Sequence, residues 1–91
     1  MNDELIDAAE LGEEARQFVM SPLGKALLDL AAQEVWIAQD EFLRANPKDS
    51  DKILELQNRA WRGLKFKEWM EEIIDKGDSA IAVFKDQEGR A

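Results

Sequence analysis

The 91 residues contain no cysteine, no histidine and no tyrosine, only two prolines and five glycines, and no apolar run long enough to cross a membrane. Each absence excludes something. Without cysteine there are no disulfides. Without cysteine and histidine there are no thiolate or imidazole zinc sites, no Cys/His nucleophile and no histidine general base. The scarcity of proline and glycine leaves little punctuation, so long uninterrupted elements are expected. Basic charge is also short: 12 Lys and Arg stand against 20 Asp and Glu, for a net charge of −8. Binding of a nucleic-acid backbone or of an anionic membrane surface runs on Lys and Arg, so neither is expected. The start, Met1-Asn2-Asp3-Glu4, has no basic segment followed by an apolar stretch, which predicts a chain kept in a cytoplasm.

What is present is 45% hydrophobic and 35% charged, the composition of one small helical domain. The spacing of apolar residues predicts three helices, about 3–19, 22–45 and 50–76, forming a single domain over 1–77 with a tail over 78–91. Gly12 weakens the first helix and could divide it in two. Ser21-Pro22 starts the second, with Ser as N-cap and Pro at the first helical position. Asn46-Pro47-Lys48-Asp49 is the loop, because a residue before proline is pushed out of the helical region. Asp49 or Ser50 caps the third helix, and Asp75-Lys76-Gly77 is its expected end.

The second and third helices carry apolar stripes at alternating spacings of four and three. Folded back at the loop, Ala45 meets Ile53, Phe42 meets Leu56, Ala38 meets Ala60, Val35 meets Gly63, Ala31 meets Lys67, Leu28 meets Met70 and Gly24 meets Ile74. The flanks of this register pair Lys25 with Glu71 and Glu41 with Arg59, and leave Glu34 opposite Phe66. The expected fold is therefore all-α: a long antiparallel helical hairpin with an additional N-terminal helix, associating into a helical bundle.

One hairpin seam cannot bury all the apolar side chains. Leu23, Leu27, Leu30, Ile37, Phe66, Trp69 and Ile73 form one flank, expected to lie under the first helix. Trp36, Leu43, Leu54, Trp61 and Leu64 form the other, with no helix left to cover them. These five are the candidate protein interface, because a contiguous apolar patch containing tryptophan marks a partner surface. Cover by the 78–91 tail is the competing account.

No chemistry stands out. Asp49-Ser50-Asp51 resembles the start of a calcium loop, but Leu54 and Ala60 occupy the positions that need Gly and Glu. No catalytic residue, metal site or cofactor is expected. The pattern Ala15-Arg16-x-Phe18, Ser21-Pro22-x-Gly24, Glu34, Pro47-x-Asp49, Ile53, Leu56-Gln57-Asn58, Trp69 and Gly77 resembles small helical-hairpin proteins encoded among the head and DNA-packaging genes of tailed bacteriophages. That resemblance implies a host-bacterium cytoplasm or a phage particle as the setting. It also implies a non-enzymatic structural or assembly accessory role, with the chain itself and other particle proteins as partners. The alternative is an acidic phage-encoded inhibitor or decoy for a basic host protein.

Overall fold

The computed structural model describes residues 3–89 and contains three helices in the order α1 (Asp3–Met20), α2 (Pro22–Arg44) and α3 (Ser50–Gly89), with no strand among the described residues. The fold is all-α. Its shape is a rod of 64 × 27 × 18 Å, with a radius of gyration of 18.6 Å. A compact domain of this length would have a radius of about 12 Å. The reason is α3, whose 40 residues span about 60 Å. The other two helices lie along it one after the other, both antiparallel to it.

The break between α1 and α2 is made by three residues. Ser21 leaves the helical region with ψ at 157°, its hydroxyl accepts from the Gly24 N–H at 3.0 Å, and its own N–H donates to the Phe18 carbonyl at 3.0 Å. Pro22 has no N–H to contribute and fits the first helical turn. Gly24 completes the kink, because any side chain there would overlap the Phe18 carbonyl. At the other end of α2, Asn46 accepts from the Lys48 N–H at 2.9 Å and Asp49 accepts from the Lys52 N–H at 3.1 Å, so Asp49 is the cap of α3.

The hairpin half joins α2 to the first half of α3. Val35 and the Ala31 carbonyl stand directly over Gly63, 2.8 and 2.5 Å from where a Cβ would be. Leu56 is the one large side chain fully buried among the described residues, and it shares a groove with Ala38, Phe42 and Ala60. The other half joins α1 to the end of α3. Gly12 and Gly77 touch backbone to backbone, each Cα 2.7 Å from the other's absent Cβ. Ala15 and Ala80 are buried alongside. At the junction Val19, Leu28, Met70 and Ile74, from all three helices, line one shared groove.

Three expectations are corrected. α1 is one continuous helix through Gly12, and α3 does not stop at Gly77 but runs on to Gly89. The cause is the same for both. No glycine has a positive φ, so neither forms a helix stop, and burying the Gly12–Gly77 contact outweighs the roughly 1 kcal/mol that glycine costs inside a helix. Residues 78–89 are therefore no tail covering the hairpin. They hold α1, with Arg16 paired to Asp78 at 2.6 Å and Leu5 sharing a groove with Ala80 and Val83. Residues 90 and 91 of the expected tail lie outside the described residues. The third correction follows from the end-to-end arrangement: α1 extends the line of α2 instead of lying beside it, so Leu23, Leu30 and Trp69 are left more than half exposed.

Candidate interface

The candidate site is a surface, built from helical spacing. On α2 the positions Ala32, Trp36, Gln39 and Leu43 recur every three or four residues. On α3 Leu54, Gln57, Trp61 and Leu64 do the same. The structure brings the two rows to one side of the helix pair. Leu43, Gln39 and Gln57 rim the groove whose floor is Ala38 and Ala60, and Leu64 adjoins Ala32 and Val35 a turn or two further along. All five sequence-predicted residues are exposed, from 47% at Leu64 to 66% at Trp36 and 83% at Leu43. The groove beside them encloses about 500 Å³ and is almost wholly apolar in its lining. The groove is open down to its floor because both floor residues are alanine, which leaves room for a bulky side chain to seat between Phe42, Leu43 and Gln57.

Phe42 belongs to this surface although the stripe puts it on the seam. It is nearly half exposed and walls the groove, because α2 ends two residues later and leaves nothing above it. The signal was its place in the last helical turn. Trp61 carries the ammonium of Lys65 at 5.9 Å from its ring centre, an exposed contact worth about 0.5–1 kcal/mol.

The opposite flank at the same level is polar. Arg59 donates from two nitrogens to the two carboxylate oxygens of Glu34, the second at 3.2 Å, and its guanidinium also lies 3.8 Å from Glu41. Lys52 bridges Glu41 at 3.6 Å and Glu55 at 3.7 Å. Glu34 thus turns to Arg59 and does not face Phe66 unpaired. The hydrogen bond from Arg59, helped by the charges of Arg59 and Arg62, holds the Glu34 carboxyl below its ordinary value of 4.5 against a smaller opposing effect of desolvation, and the same bond raises Arg59. Glu41 does reach Arg59, but Glu71 is taken by Lys67 of its own helix at 3.8 Å, and Lys25 has no ion pair among the described residues.

Comparison with protein-family models, curated proteins and solved structures gives no match to this chain.

Charge is divided along the rod. Residues 3–20 and 67–89, the half made by α1 and the end of α3, hold 13 acidic and four basic side chains. Residues 21–66, the hairpin half, hold seven of each. The net negative charge thus lies in the half away from the candidate surface. No group of three or more carboxylates among the described residues is arranged to hold a metal ion, and no described helix is long and apolar enough to cross a membrane. Glu34 and Arg59, whose proton affinities shift together through their hydrogen bond, face each other on the flank opposite the groove. The arrangement offers apolar contact area.

Proposed function

We propose that this chain is a non-enzymatic structural or assembly accessory protein of a tailed-phage particle, acting through helix-mediated protein–protein association. One observation carries the reading: all three tryptophans, Trp36, Trp61 and Trp69, are more than half exposed, while the buried hydrophobic side chains are Ala15, Ala38, Leu56 and Ala80 among the described residues. A chain that spends its largest apolar side chains on its surface is built to be covered, since contiguous apolar area in water is unfavourable by about 25 cal/mol per Å². The phage setting rests on the sequence resemblance. Particle assembly is a context in which small helical adaptors are covered by copies of themselves or by neighbouring subunits.

The test is fractionation of cells producing particles of the phage that encodes the chain. The protein is expected to sediment with particles or their precursors, and Trp36→Glu with Trp61→Glu is expected to release it to the soluble pool. A wild-type chain found free at every stage of infection would favour the acidic decoy instead, a reading that draws on the concentration of negative charge in one half of the rod.

A further inference from the structure

We infer that the occupant of the Trp36–Trp61 face is a second copy of this chain, joined in a staggered antiparallel dimer that overlaps only through the hairpin halves. The inference rests on the association proposed above and adds its partner and geometry. Three observations lead to it.

The first is area. The chain exposes 7059 Å². A compact monomer of 10.4 kDa would expose about 5,400 Å². The excess, about 1,700 Å² per chain, is spread along the whole rod. Roughly half of it falls on the hairpin half, close to the ~800 Å² that each partner contributes to a standard stable interface.

The second is charge. A two-fold axis parallel to the rod would set the two acidic halves side by side, each with 13 acidic and four basic groups. Like charges at that density oppose association. An axis perpendicular to the rod places them at opposite ends. The surfaces then in contact belong to residues 21–66, where acidic and basic groups are equal in number.

The third is position. The five patch residues run from Leu54 to Leu64 on α3 and from Trp36 to Leu43 on α2, so the centre of the patch lies in the loop-proximal part of the hairpin half. An isologous contact must place its axis through the centre of the shared patch. The axis then lies about nine residues of α3 from its start at Ser50, and the overlap is twice that distance, roughly 27 Å. Within it the groove over Ala38 and Ala60 of one copy faces the exposed indoles of the other, a four-helix layer with both halves of the rod continuing beyond it.

Two 64 Å rods so overlapped span about 100 Å. Small-angle scattering with light-scattering mass on the full chain is expected to give twice the mass of the monomer and that maximum dimension. Trp36→Glu with Trp61→Glu is expected to weaken association by roughly 100-fold or more, as for central aromatic anchors, and to leave a folded helical monomer. Because the chain has no cysteine, Gln57→Cys near the axis should form a disulfide-linked dimer on oxidation, and Ser79→Cys in the acidic half should not. A dimer with a maximum dimension near 65 Å, or one cross-linked through Ser79→Cys, overturns the stagger and leaves the assembly reading in place. A wild-type chain that stays monomeric at millimolar concentration overturns the self-partner. The assembly reading then stands or falls on particle sedimentation alone.

Discussion

At the scale of single residues, glycine is where this protein departs from ordinary expectation. Gly77 sits mid-helix, and even a methyl group there would meet the Gly12 Cα at 2.7 Å, a backbone atom that cannot rotate away. Gly77→Ala gains about 1 kcal/mol of helix propensity but incurs an overpacking cost of about 1–3 kcal/mol. A fall of several degrees in Tm is expected, and Gly89→Ala, which has nothing within 4 Å of its added Cβ, should show no fall. Equal behaviour of the two variants would mean that the Gly12–Gly77 contact is absent in solution. The Glu34–Arg59 pair is the second residue-scale test. Because folding lowers the Glu34 pKa, its contribution is complete above the ordinary carboxylate value and is lost as pH falls through the lowered one. Glu34→Gln should therefore melt below wild type at neutral pH, and the gap should close on acidification. The pair is only half-buried and remains open to ions, so added salt should narrow the gap too. A gap independent of pH would assign the effect to packing.

At the scale of elements, α3 is the part the sequence misrepresents most. Lys76-Gly77 has the chemistry of a helix end, and residues beyond it look too polar to dock. Their apolar positions, Ala80 and Phe84 among them, are few but correctly spaced to continue the face of Ile73 and Gly77. A helix terminus is a local signal. The Gly12–Gly77 crossing is a contact between residues 65 positions apart, and nothing in either local sequence announces it. By contrast, the break at Ser21-Pro22 and the loop at Asn46-Pro47 are legible because proline acts on its immediate neighbours. The candidate surface was legible for a similar reason, since helical spacing alone brings Trp36 with Leu43 and Trp61 with Leu64 to one side. What spacing could not show is that α1 lies in line with α2, which leaves Leu23, Leu30 and Trp69 uncovered. The extension of α3 makes a prediction: ending the chain after Lys76 should cost more helicity than the residues removed. An 18-residue helix on its own is marginal in water, so α1 should melt with the deleted segment. Circular dichroism per residue, compared before and after deletion, measures this. Unchanged mean helicity per remaining residue would show that α1 is held elsewhere.

At the scale of the whole molecule, the rod is only two helices thick for most of its length, and chain direction puts Leu5 of α1 beside Val83 of α3 at one tip, with the Asn46–Pro47 loop at the other. Each level of the rod touches only the levels next to it, so stability is shared among neighbours and not pooled in a centre. Such a molecule resembles a short repeat array more than a globule, and its cooperativity is correspondingly limited. The two halves communicate through the Val19, Leu28, Met70 and Ile74 junction and through the unbroken backbone of α3. Native-state hydrogen exchange should therefore show a gradient. Amides of α1 and of α3 beyond Gly77, packed on glycine and alanine and burdened with like charge, should open at lower free energy than those around Leu56 and Gly63. Uniform protection along α3 would contradict this. The consequence is a protein that unzips from its acidic tip while its hairpin tip stays intact, so that one end can exchange between ordered and open states without loosening the grip of the other.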